Sequence, residues 1–152
     1  VRIVLVDPRG DSRPYDHGLG AALAARGHDV TLATCRFHHG ALPPAPGVAV
    51  RERFYRLADR LPARLRRAGR GCEHVADLVA LLPLMRRADA VHVMWLPLGP
   101  ADRMFWRGAR RLLRARLVYT AHNAVAKDGV GGPAQIRADC EPFERIVVHS
   151  HA

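Results

Sequence analysis

The stretch Leu117–Asn123, LVYTAHN, runs from strand-forming residues straight into a histidine and an asparagine, and a glycine-rich loop follows. Leucine, valine, tyrosine and threonine suit a pleated, half-buried surface, so a buried strand is predicted that ends on two polar side chains. Two readings of that ending stay open. His122 either caps the strand by bonding a loop carbonyl, or stands at the carboxyl edge of an open parallel sheet, where ligands bind.

Working outward, short apolar runs alternate with helical patterns. Ile3–Val6 predicts a strand that leaves through the turn-rich DPRGDSRP, and a helix is predicted from about Tyr15 to Arg26, with Leu19, Ala22 and Leu23 on one face and Gly27 as its stop. HDVTLAT predicts a second strand and GVAVRERF a third, joined by the proline-rich CRFHHGALPPAPG. Leu57–Gly71 is dense in arginine and expected to be helical in part. From Cys72, the spacing of Val75, Leu78, Val79 and Leu82 marks a helix disturbed at Pro83. DAVHVMW is a nearly continuous apolar run, as in a strand buried on both faces. Pro100–Arg114 predicts a helix with Ala101, Met104, Phe105, Gly108, Ala109 and Leu112 inward and Trp106 at the border. A short helix near Gln135–Phe143 and a last strand, RIVVHS, follow. The expected fold class is α/β: a Rossmann-like parallel sheet with helices on both faces, without internal repeats.

The 152 residues fit one domain, and 49% hydrophobic with 25% charged residues is the balance of an ordinary globular chain. No stretch approaches the roughly 20 apolar residues that span a bilayer. Cys35, Cys72 and Cys140 lack CxxC spacing and the chain opens directly on a strand, so reduced thiols and a cytoplasmic location are expected. The formal charge of +10 is carried almost wholly by arginine, Lys127 being the only lysine. A GC-rich coding bias produces that pattern, so nucleic acid is not the expected partner; an anionic membrane surface or a phosphorylated ligand ranks ahead of it.

The strand ends gather Asp7 to Asp11, Cys35, Trp95, His122 with Asn123, and His149 with Ser150. A dinucleotide fingerprint needs G-x-G-x-x-G directly after the first strand. Here Gly18 and Gly20 lie inside the helix, Leu23 holds the third place, and no acidic residue ends the second strand, so NAD is disfavoured. Gly10 is either an ordinary turn glycine or a point where a phosphate nears the backbone. His38 and His39 are adjacent, without a second cluster at ligand spacing, so no metal site is expected. Asp16 and Asp128 are isolated candidates for acid/base work.

Four stretches together resemble the N-terminal domain of GT-B glycosyltransferases, the large retaining group that uses nucleotide sugars. They are GLGAALAARGHDVTLAT, with Gly27 and His28 in the turn, ADAVHVMWLPL, LVYTAHN and FERIVVHS, in the family's order over almost the whole chain. The resemblance implies that residues 1–152 are the acceptor-side domain, facing a sugar or glycolipid acceptor, and that a C-terminal domain absent from this chain binds the nucleotide sugar. That donor is a co-substrate; no metal or resident cofactor is implied. His122 matches the histidine bordering the transferred sugar, and Gly10 falls where the family has a glycine pair near the donor phosphates. Tyr15 lies where a histidine is frequent, while Trp95, Asn123 and Ser150 match cleft-lining positions. Asp11 replaces the second glycine and would repel a diphosphate unless turned away to cap the helix. Lys127 replaces a histidine, either as a positive charge or as a plain loop residue.

Two other readings stand beside this one: a stand-alone, non-catalytic Rossmann-like nucleotide-binding or interaction module, and a protein acting through its basic surface. Arg103, Arg107, Arg110, Arg111 and Arg114 are expected to face outward from the helix Pro100–Arg114. They form either an anionic-membrane contact, giving peripheral attachment at the inner face of the membrane, or a solvated helix face.

Overall fold

The computed structural model describes residues 1–38, 40–122 and 132–148. Six strands form one sheet: β1 (Arg2–Asp7), β2 (Asp29–Cys35), β3 (Val48–Phe54), β4 (Ala90–Val93), β5 (Arg116–Ala121) and β6 (Arg145–Val148). Their order is β3-β2-β1-β4-β5-β6, and every neighbouring pair is parallel. Direction along the sheet reverses at β1, so the crevice at its carboxyl edge opens between the exits of β1 and β4.

Helices cover both faces, as the alternating pattern predicts. On one side α1 (Arg13–Ala25) packs Leu19, Leu23 and Ala24 against Leu5, Val30, Leu32 and Met94. On the other, α2 (Ala63–Met85) and α3 (Pro100–Leu112) bury Leu78, Leu81, Met85, Trp106 and Ala109 over Val4, Val6, Val91, Val93 and Leu117. The short α4 (Pro133–Cys140) precedes Phe143, whose ring stacks on Tyr119 at 5.0 Å. Gly20 lets α1 approach β3 closely, since a Cβ there would lie 3.0 Å from Val48.

The helices depart from the periodicity reading in phase. Helix α1 begins at Arg13, and Ala22 is exposed while Gly20 is buried. Helix α2 is one continuous element that takes in residues 63–71 of the arginine-dense segment, after a short 3-10 turn at Ala58–Arg60; it turns Val75 and Val79 outward and buries His74, Leu78, Leu81 and Met85. Pro83 is tolerated two residues from the end of α2, because the carbonyl it leaves without a partner, that of Val79, lies on the wet face. In α3, Met104 and Leu112 are 73% and 57% exposed, whereas Trp106 is buried rather than at the border. The inward stripe is Asp102, Trp106, Ala109 and then Leu113, a helical spacing that starts with a charged residue.

That phase has a measurable consequence. Trp106→Ala should cost about 3–5 kcal/mol of stability, the usual penalty for emptying a buried aromatic site. Met104→Ala should stay within about 0.5 kcal/mol. Urea unfolding of the two variants checks this, and comparable losses would contradict the observed phase.

Candidate functional site

The exit of β1 is organised around a buried carboxylate. Asp7 has no exposed surface, and its Oδ1 accepts the backbone N–H of Arg9 (3.2 Å) and of Gly10 (3.0 Å). This folds the loop back on itself and requires the left-handed conformation of Gly10, φ +70°. An added Cβ at Gly10 would lie 2.9 Å from Cys35 Sγ. The N–H of Gly10 is directed at Asp7 within that turn. Asp11 does not cap α1 either; it pairs with Arg9 at 2.6 Å.

Asp7 also interacts, through a side-chain hydrogen bond and its charge, with Asp16 on α1, so Asp16 is not an isolated carboxylate. No conventional donor reaches Asp7 Oδ2 among the described residues. Burial, followed by the hydrogen bond and charge of Asp7, pushes the Asp16 pKa up to about 9. At neutral pH the Asp7–Asp16 pair therefore retains one proton between its two carboxyl groups. One helical step away, the buried Arg13 donates Nη1–H to Thr34 Oγ1 (2.6 Å) and to the Cys35 carbonyl (2.9 Å). Its Nε–H goes to His17 Nε2, while His17 Nδ1 donates to the Pro43 carbonyl. Cys35 donates its thiol hydrogen to the Arg9 carbonyl at 3.1 Å, and burial raises its pKa to about 11, so it is a structural thiol rather than a nucleophile.

Above this buried layer the aromatic candidates converge. Ser12, the residue before α1, accepts the indole N–H of Trp95 at 3.0 Å. The Trp95 ring stacks on His122 with centroids 4.5 Å apart and planes 11° from parallel. Tyr15 presents its ring to His122 edge-on at 6.2 Å, and the Arg9 guanidinium covers Trp95 at 5.4 Å. Behind His122, His92 shares a 2.7 Å hydrogen bond with Thr120. Burial, and then the neighbouring His122, lower the His92 pKa to about 4, which keeps it neutral at physiological pH. The strand-end histidine is thus clamped between rings at the crevice.

The structure brings His122, Trp95 and Tyr15 together and sets Gly10 and Asp11 beside them. Asn123, Lys127, Asp128, Ser150, His39 and His149 lie outside the described residues. His38 sits 3.9 Å from Asp59. On α3, Arg103 pairs with Asp139 at 2.7 Å and Arg107 with Glu141, so both are occupied in docking the α4 segment. Arg110, Arg111 and Arg114 are exposed. Sequence reasoning missed Ser12, Arg13 and the pairing of Asp7 with Asp16; the available signal was polar residues at helical spacing, Arg13, Asp16 and His17, on the inward face of α1.

A six-stranded parallel sheet in this order, with a polar crevice at its carboxyl edge, defines a Rossmann-like α/β domain. The chain belongs to the glycosyl transferase 4-like domain family, whose sequence profile matches residues 12–152. No curated protein matches it. A Rossmann-fold NAD(P)-binding family protein from Shigella flexneri is similar in structure, with TM-score 0.56 and 13% identity over 97% of this chain, which spans 66% of that one. A protein of unknown function from Vibrio parahaemolyticus is similar at TM-score 0.52 and 9% identity, covering 98% of this chain and 93% of that one. These likenesses concern the fold. Among the described residues no helix is long and apolar enough to cross a membrane.

The carboxyl pair makes stability depend on pH. Asp16 binds its proton more tightly folded than unfolded, so its contribution is full in acid and is lost as pH rises from about 4 to about 9. Asp16→Asn keeps a donor toward Asp7 without titrating. It should raise Tm relative to wild type more at pH 8 than at pH 5; an equal shift at both would contradict the shared proton.

Proposed function

We propose that this chain forms the acceptor side of a cleft in which a sugar passes from a nucleotide-sugar donor to a sugar or glycolipid acceptor. The anomeric configuration is retained, and no metal or resident cofactor takes part. The donor is held by a second α/β domain facing the carboxyl edge of this sheet. Family membership supports glycosyl transfer, and the observation that carries the acceptor-side reading is the clamp on His122 at that edge.

The chemistry follows from charge development. As the bond from the anomeric carbon to the leaving nucleoside diphosphate breaks, positive charge grows on the sugar and negative charge on the phosphate, while an acceptor hydroxyl forms the new bond. An imidazole held between Trp95 and Tyr15 can hydrogen-bond a sugar hydroxyl and fix the ring without losing rotamer freedom at each turnover. His122 is a positioning group in this account, not a nucleophile. Asn123, Lys127 and Ser150 remain proposed cleft residues by their place in the sequence.

A stand-alone nucleotide-binding module is the weaker alternative. A diphosphate at the β1 exit would need outward N–H groups, yet those of Arg9 and Gly10 turn in to the Asp7 carboxylate. A cytoplasmic site with peripheral attachment to an anionic inner-leaflet surface stays part of the proposal. It rests on exposed Arg110, Arg111 and Arg114 beside exposed Met104 and Leu112, and loss of vesicle binding in Arg110→Gln/Arg111→Gln is its test.

In the enzyme carrying both domains, His122→Ala should lower turnover on the order of a hundredfold while the fold survives. Steady-state kinetics and a melting curve on one preparation separate the readings. Unchanged turnover per folded molecule with a lowered Tm would reduce His122 to a strand cap.

A further inference from the structure

Beside the clamp lies a cavity of about 670 Å³ between the β1 and β4 exits and the start of α2. Its wall on α2 is Ala63, Arg66, Arg67, Arg70 and Gly71, the i, i+3, i+4, i+7, i+8 spacing of one helix face. Small residues at both ends leave room between the guanidinium groups. Arg9 and Asp11 close the side toward Trp95, and Tyr55 lies at the base.

The charge here is not balanced. Arg9 is paired with Asp11, and Arg70 donates both Nε–H and Nη2–H to Asp59 at 2.9 and 2.7 Å while covering the Tyr55 ring. Among the described residues neither Arg66 nor Arg67 is ion-paired. Two uncompensated guanidinium groups thus face one cavity at the amino end of a 23-residue helix, whose dipole adds to the positive potential. Two other arginine-lined hollows, one along β3 and one beside it under α2, share no lining residue with the aromatic clamp.

The base of the cavity is built rather than incidental. Tyr55 is held in a left-handed conformation, φ 62°, and its hydroxyl donates to His74 Nδ1 at 2.8 Å. His74 Nε2 donates to Asp102 Oδ1 at 2.6 Å, and Asp102 Oδ2 accepts the N–H of Leu98, another lining residue, at 2.6 Å. Three buried side chains therefore fix both the base and the β4 side of the cavity. That relay ties the turn after β3 to α2 and α3.

We propose that this cavity binds a phosphate group carried by the acceptor, with Arg66 and Arg67 as its principal ligands. The proposal rests on the acceptor-side reading and gives it a substrate class. Planar guanidinium forks match phosphate oxygens in pairs, and a phosphomonoester of charge about −1.5 to −2 offsets two arginines. Arg9 lies over Trp95, and Trp95 stacks on His122, so a phosphate here would place the acceptor sugar next to the clamp.

The test uses the purified chain with two phosphomonoesters, glucose 6-phosphate against glucose in solution and phosphatidic acid against phosphatidylcholine in vesicles. Selective binding of either phosphate probe, weakened about tenfold or more in Arg66→Gln/Arg67→Gln with Tm unchanged, is expected. The probe that binds tells a soluble phosphorylated acceptor from a lipid phosphate. Arg64→Gln, an exposed arginine on the same helix outside the cavity lining, should bind as wild type. Failure of both phosphomonoesters to bind more tightly than their controls, or an equal loss in the Arg64 variant, would overturn the assignment. Either result would leave the His122 kinetics, which test the transferase reading, unaffected.

Discussion

Everything at the carboxyl edge depends on how the buried carboxyl group of Asp7 is met. A carboxylate with no exposed surface at the end of the central strand must find donors nearby. Two come from the backbone of the following loop, which forces the tight turn through Gly10; the third is the proton shared with Asp16. With Asp16 fixed, Ser12 is drawn to it at 3.4 Å, Ser12 takes the indole of Trp95, and Trp95 supports His122. The crevice geometry is thus assembled from the inside outward.

The same arrangement explains what the sequence revealed and what it hid. Strand runs such as Ile3–Val6 and LVYT are continuous because both faces of a central parallel strand are covered, and that signal survives without tertiary knowledge. Helix phase did not survive. The inward stripes of α1, α2 and α3 contain Arg13, Asp16 and His17, then His74, then Asp102. An apolar-periodicity argument assigns such residues to solvent, and so it turned Met104 inward and left Trp106 at the border. Each of these polar residues is buried because it meets a partner on another element, and such pairings have no signature in linear spacing.

The candidate site divides along the same line. His122 and Trp95 were legible as polar or aromatic endings of apolar runs, and Tyr15 through the family resemblance. Their stacking was not, since Tyr15 lies on α1 and Trp95 follows β4. Arg66, Arg67 and Arg70 read as a dense basic segment, but the cavity they line exists only because α2 starts beside the β1 and β4 exits. The arginines of α3 show the converse: a helix that reads as uniformly basic spends Arg103 and Arg107 on Asp139 and Glu141.

The central claim is that this chain supplies one wall of a two-domain cleft, since closing reactants between two walls provides much of the catalysis of group transfer. The most direct measurement is nucleotide release from labelled nucleotide sugars by purified residues 1–152, alone and with the donor-binding domain added. The account predicts no turnover alone and turnover when the two are combined. Sugar transfer by residues 1–152 alone would contradict it.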